Sequence, residues 1–160
     1  MSICAARVDE RMIHGQVAMV WTNVVGANRI LVANDEVVKD DLKIEGLKLA
    51  KPAGIKLSIC SIQRTIDNLK NNKYGEDNVF LITRNIPDMA AIINGGVKLQ
   101  EFNVGNISAK DGSTQIKKSV NVTPKDIEII KDLINKGIHI TAQMVPNGNC
   151  QIFCVNRSFS

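Results

Sequence analysis

Apolar residues fall along this chain in short dense runs, separated by stretches in which they recur every three or four positions. Residues 2–8 (SICAARV) form the first dense run and read as a strand. Over 16–25, Val17, Val20, Trp21, Val24 and Val25 recur at helical spacing, and Gly26 and Asn28 then punctuate. On that helix Trp21 reads as core and Met19 as surface. ILVAN (30–34) is a continuous strand, and Asn34 and Asp35 can cap a helix over about 36–51 that closes before Pro52-Ala53-Gly54. KLSIC (56–60) is a third strand, 62–71 a third helix and NVFLIT (78–83) a fourth strand. Pro87 suits the first turn of a helix that runs to about Ile93 and ends at Gly95-Gly96. LQEFNVG (99–105) is a fifth strand, and 115–122 alternates as a short one. Thr123-Pro124 opens an amphipathic helix with Ile127, Ile130 and Ile134 facing inward and Gly137 at its end. HITAQMV (139–145) is a strand, Pro146-Asn147-Gly148 turns the chain, and QIFCV (151–155) pairs back as an edge strand.

Strands alternating with helices, several of them apolar on both sides, predict an α/β fold. The expectation is a mostly parallel central β-sheet with helices on both faces, in one domain over residues 1–160. Ligands of such sheets bind outside the carboxyl ends of the strands, beside a topological switch point. RVDERMIHGQ, between the first strand and the first helix, falls in that place.

Composition sharpens the picture. The 160 residues are 44% hydrophobic but only 4% aromatic, so the core must be built of Ile, Val, Leu and Ala. The net charge of +4 fits an anionic ligand or an acidic partner. It is too small to indicate nucleic acid, and no aromatic–basic interleaving supports single-strand binding. Arg7, Asp9, Glu10 and Arg11 interrupt the start of the chain, so no signal peptide is expected. No apolar run approaches the roughly 18 residues of a membrane span, so no direct membrane insertion is expected. Cys4 and Cys60 lie in strand-like runs and suit buried free thiols; Cys150 and Cys154 lack the spacing of a zinc knuckle. Neither a metal nor a disulfide is expected, and a reducing cytosol is the natural compartment.

The candidate chemistry lies in RVDERMIHGQV (7–17). His14 stands where the loop meets the helix, and the N–H groups of Gly15, Gln16 and Val17 would point into the loop as an anion site. Gly15 removes a Cβ from the approach of a bulky ligand. Arg11 offers a planar fork for a phosphoryl group. Positive charge from the helix start and the arginines favours the neutral, nucleophilic form of the imidazole. No G-x-x-x-x-G-K-[ST] occurs, so ATP is not the expected donor and no cofactor is implied. Each residue also has a plainer reading. Arg7 and Arg11 can form a solvated face, Asp9 can be a turn residue that bonds its own backbone, and His14 can be an ordinary loop histidine. His139, at a strand start without a charged cluster around it, reads as structural.

RVDERMIHGQV resembles the active-site loop of enzyme IIB of the mannose–fructose–sorbose family of the bacterial phosphoenolpyruvate-dependent sugar phosphotransferase system. The family pattern is R-[IV]-D-[DE]-R-L-[IV]-H-G-Q-V, and the chain departs from it only at Met12. VANDEV (32–37), FNVGNIS (102–108) and SVNVTPKD (119–126) are similar to further family segments, whereas CQIFCVNRSFS (150–160) departs from them. The resemblance implies a cytoplasmic phosphohistidine carrier, peripherally associated with a membrane permease. It implies that His14 accepts a phosphoryl group, through Nδ1, from a IIA protein and passes it to a sugar taken up through IIC and IID subunits. Residues 1–160 leave no room for a IIA domain, so the expected donor is a separate polypeptide, unless a IIA domain has been cut away. His14 and Arg11 are the expected catalytic residues, and Asp9, Gly15, Gln16 and Arg7 the expected phosphate-binding ones. Arg7, at the strand end, can point away from the site, and Asp9 can orient either Arg11 or the imidazole. Self-association into a homo-oligomer is compatible with the sequence. Two other classes compete. A non-catalytic anion- or nucleotide-binding module of flavodoxin-like shape would need only the helix start. A histidine phosphatase or mutase would need Arg-His-Gly in succession and a second catalytic histidine, whereas Ile13 precedes His14 here.

Overall fold

The computed structural model describes residues 2–143 and 151–152; for Ser2, residues 15–17 and residues 151–152 the backbone alone is described. Its elements are β1 (Ser2–Asp9), α1 (Gly15–Val25), β2 (Arg29–Ala33), α2 (Asp41–Ala50), β3 (Lys56–Cys60), α3 (Ile62–Lys70), β4 (Asn78–Thr83) and α4 (Ile86–Asn94). They continue with β5 (Glu101–Asn106), β6 (Thr114–Lys117), β7 (Val120–Val122), α5 (Pro124–Asn135), β8 (His139–Ala142) and β9 (Gln151–Ile152). The central sheet has the order β3-β2-β4-β1-β5-β8-β9. Its first six strands are parallel, and β9 closes the edge by antiparallel pairing of Gln151 with Ala142.

Handedness decides which face each helix takes. The chain runs outward from β1 to β2 and β3, then reverses to β4, β5 and β8. Right-handed crossovers therefore place α1 and α2 on one face and α3, α4 and α5 on the other. The core divides in the same way. Ile30, Val32, Phe80 and Ile82 pack with Trp21 and Leu47 on the first face. Leu31, Ala33, Val79 and Leu81 pack with Ile66, Met89, Ile130 and Leu133 on the second. The alternation along β2 and β4 is the two-sided burial that their continuous apolar runs require.

Two expected elements differ. The helix expected over 36–51 is divided: Val37–Lys39 is a single 3₁₀ turn, and Asp40 is extended (φ −117°, ψ 95°) and accepts the Lys43 N–H as the cap of α2. Asn34 does cap, but its Oδ1 receives the N–H groups of Glu36 and Val37, whereas Asp35 receives that of Ile62 at the start of α3. The stretch 115–122 is not one strand but the β6–β7 hairpin, folded on itself outside the central sheet. In α5, Ile130 and Leu133 are fully buried while Ile127 and Ile134 are half-buried, so the inward face is turned slightly from the expected one. Trp21 is buried and Met19 exposed, as expected. Cys60 is buried and Cys4 half-buried, both as free thiols. The turn at Pro146-Asn147-Gly148, the cysteines Cys150 and Cys154, and residues 144–145 and 153–155 of the expected strands lie outside the described residues. Among the described residues no helix is long and apolar enough to cross a membrane.

Candidate functional site

The alternation of β1 fixes the site. Ala6 and Val8 point into the α3–α5 core, so Arg7 and Asp9 both point to the face that carries α1. There the Arg7 guanidinium lies over the Trp21 ring, 4.8 Å from its centroid. Arg7 is 3% exposed and Asp9 1%, the most deeply placed charges of the loop region. Arg7 Nη2 donates to Asp9 Oδ2 at 3.3 Å. Arg7 Nη1 donates to Asn103 Oδ1 at 2.7 Å and to the Gln143 carbonyl at 2.9 Å. Burial pushes the Arg7 pKa below its ordinary value, the Asp9 charge opposes that shift, and Arg11 adds to it. An arginine side chain nevertheless stays charged in a protein, so the pair with Asp9 is a buried ion pair.

Asp9 has two tasks at once. Its Oδ1 receives the Arg11 backbone N–H at 2.9 Å and Arg11 Nε at 3.2 Å, and its Oδ2 receives Arg11 Nη2 at 3.2 Å. It is therefore both the turn residue that bonds its own backbone and the carboxylate that grips a guanidinium from the side. The turn is closed by the Met12 N–H donating to the Asp9 carbonyl. Met12 takes φ 64°, a left-handed conformation unusual for a side chain of its kind. Ile13 is then driven into the core at 5% exposure, and His14 is turned outward.

His14 stands at the N-cap of α1 (φ −136°, ψ 95°), exposed, with no side-chain bond to the helix. The first-turn N–H groups of Gly15, Gln16 and Val17 lie beyond the reach of any intrahelical carbonyl. The helix starts at Gly15, one residue earlier than expected, and the Gln16 side chain lies outside the described residues. His14, Met12, Asp9, Arg7, Ala18 and Trp21 border one small crevice at the loop. The Arg11 side chain is 27% exposed and is the accessible cation of this group. Glu10 faces away from it. Its Oε2 accepts the Ser108 N–H at 2.9 Å. Burial alone would raise the Glu10 pKa, but the Ser108 bonds, Lys110 and Arg84 outweigh it and hold the group below its ordinary value. His139 is exposed at the amino end of β8, at the far end of the sheet from His14. Among the described residues no three His, Cys, Asp or Glu side chains come together as a metal-binding group.

Asn103, Gly105 and the Gln143 carbonyl belong to the site and escaped the sequence reading. Asn103 pairs in register with Arg7 across β1 and β5. A Cβ on Gly105 would fall inside the Arg7 guanidinium, so glycine is required by close approach. Ser119 of the hairpin fixes the same peptide by donating its hydroxyl to the Gly105 carbonyl at 2.8 Å. The available signal was the alternation of FNVGN: apolar Phe102 and Val104 on one side, Asn103 and Gly105 on the other. Gly105→Ala is expected to destabilise the chain by about 1–3 kcal/mol, the scale of overpacking. Denaturant midpoints of the two proteins measure it, and a difference of a few tenths would show that Arg7 has room to move.

The sequence model of the sorbose-subfamily IIB component of the phosphotransferase system (PTS) matches residues 3–154, which reaches into the divergent C-terminal stretch. The chain is 36% identical to the sorbose-specific EIIB component of Lacticaseibacillus casei over 91% of its own length and 88% of that protein. It is 37% identical to the mannose-specific EIIAB component of Escherichia coli K12, covering 91% of this chain and 45% of that longer protein. The crystal structure of the IIBSor domain of the sorbose permease from Klebsiella pneumoniae superposes with a TM-score of 0.89 at 31% identity, over 94% of this chain and 93% of that one. Matched in sequence along nearly its whole length and in fold, the chain belongs to the sorbose-type IIB family of the PTS, whose members serve in sugar phosphotransfer.

Proposed function

We propose that the chain is a phosphohistidine carrier: His14 accepts a phosphoryl group from a IIA protein and delivers it to a sugar held by IIC and IID membrane subunits. The observation that supports this most is an exposed histidine at a helix start, three residues after an arginine whose guanidinium is pinned by a buried carboxylate. In the first step the imidazole lone pair attacks phosphorus. A new N–P bond forms as the N–P bond to the donor histidine breaks, and the donor imidazole leaves with its electron pair. In the second step a sugar hydroxyl attacks, the bond to His14 breaks, and the hydroxyl proton is released. Both steps pass through loose transition states, so positioning and charge stabilisation carry the catalysis.

The residues divide by depth. Arg11 and the N–H groups at the start of α1 receive the phosphoryl oxygens. Gly15 keeps that approach clear. Asp9 and Arg7 are too buried to meet a docked partner's phosphoryl group, and hold Arg11 in place instead. The same exposed loop meets two partners in turn, one carrying the phosphoryl group and one at the membrane. The chain then works in the cytoplasm at the permease, as a single domain and without a cofactor of its own.

Arg11→Lys keeps the charge but loses the fork held by Asp9. Transfer to sugar is expected to fall by about 10²-fold, the scale for losing one oxyanion donor, with acceptance from IIA partly retained. The assay is sugar phosphorylation by membranes that contain IIC and IID, with phosphorylated IIA and this chain added back. Sugar phosphorylation independent of the added chain contradicts the carrier reading. Equal rates for wild type and Arg11→Lys would show that the arginine is a bystander.

A further inference from the structure

Arg7, Asn103 and Thr141 lie side by side on three adjacent strands, β1, β5 and β8, paired in register. Their side chains form one lateral chain of bonds. Thr141 Oγ1 receives Asn103 Nδ2 at 3.0 Å, and Asn103 Oδ1 receives Arg7 Nη1 at 2.7 Å. From Arg7 the chain continues to Asp9 and then to Arg11, three residues before His14. Asn103 is 9% exposed, with its amide oxygen on Arg7 and its amide nitrogen on Thr141.

We propose that Asn103 is a positioning residue for phosphoryl transfer, holding Arg7 through a neutral oxygen so that the Arg7–Asp9–Arg11 cluster keeps a net positive charge for the phosphoryl group. The inference rests on the carrier reading of His14. Two guanidiniums share one carboxylate in this cluster, which leaves one positive charge over. Arg7 Nη1 donates to the Asn103 amide oxygen and to the Gln143 carbonyl, and both are neutral. They orient the guanidinium without cancelling it. An aspartate at 103 would fill the same space and accept the same bond, but it would bring the cluster to zero and draw Arg7 away from Asp9. It would also lose the N–H donor that Thr141 receives. An asparagine meets both demands, with an uncharged acceptor toward Arg7 and a donor toward Thr141.

The test uses the whole chain with Asn103→Asp, Asn103→Ala and Thr141→Val. Phosphoryl acceptance from phosphorylated IIA is followed as kcat and KM, with thermal melting of each variant alongside. Asn103→Asp and Asn103→Ala are expected to lower kcat about tenfold, the scale for removing partners that orient contacting groups. KM for the donor should hardly change, because Asn103 is nearly buried. Thr141→Val keeps the amide and removes its anchor; about threefold is expected, the low end for one neutral hydrogen bond. A purely structural role would lower the melting temperature and leave kcat of the folded protein alone. Folded Asn103→Asp within about twofold of wild type in kcat overturns the proposal. If the position 103 variants do not fold, wild-type kcat in Thr141→Val overturns it equally. A wild-type chain that accepts no phosphoryl group fails in the control itself, and so overturns the carrier reading first.

Discussion

His14→Ala is expected to abolish phosphoryl acceptance and sugar phosphorylation while leaving the fold intact. The side chain is exposed and makes no capping bond, so its removal strands no buried partner. An N-cap without a side-chain acceptor loses little on becoming alanine. Among the described residues no second histidine or thiol stands nearby. His139 is at the amino end of β8, and the described thiols are Cys60, buried, and Cys4, half-buried with its Sγ against the Val79 carbonyl. Burial pushes the Cys4 thiol pKa up, further from the reactive thiolate. His139→Ala is the matched control and is expected to transfer normally. The measurement is transfer rate together with thermal melting for both variants. Residual acid-labile phosphorylation of folded His14→Ala would refute the assignment.

Asp9→Ala is expected to lower stability by about 3–5 kcal/mol, the cost of removing one partner of a buried ion pair. Arg7 would then keep its charge beneath the surface without the Asp9 carboxylate beside it. Arg11 would lose its side-chain grip and its backbone turn in the same substitution, so phosphotransfer should fall in whatever fraction folds. For a chain of this size the loss corresponds to roughly 6–20 °C in melting temperature. Asp9→Asn, which can still receive the Arg11 N–H, should be milder. A melting temperature within about 2 °C of wild type would mean that solvent or a neighbouring group satisfies Arg7.

The parts of the molecule that could be read in advance are those set by periodicity. Continuous apolar strands, capped amphipathic helices and the place of RVDERMIHGQ after β1 all follow from local pattern. The divided helix after β2 was hidden because Asp40 has an ordinary helical neighbourhood in sequence, and only its extended backbone separates the 3₁₀ turn from α2. The hairpin at 114–122 escaped because two strands folded on each other carry the same alternation as one. At the site, His14 and Arg11 are legible as chemistry, whereas the strand-end position of Arg7 leaves its direction open. Strand alternation from Ala6 and Val8 decides the matter: it turns Arg7 to the same side as Asp9. Asn103, Gly105 and Thr141 could not be assigned from sequence, because their roles depend on which strands become neighbours.

The most direct measurement of the central claim is the mass of the intact wild-type chain after incubation with phosphoenolpyruvate, the general phosphotransferase proteins and a IIA donor, followed by mapping of the modified peptide. The carrier reading predicts a gain of one acid-labile phosphoryl group, located at His14 and lost when sugar and the IIC and IID membranes are added. No gain in mass, or a phosphoryl group on any other residue, would contradict it.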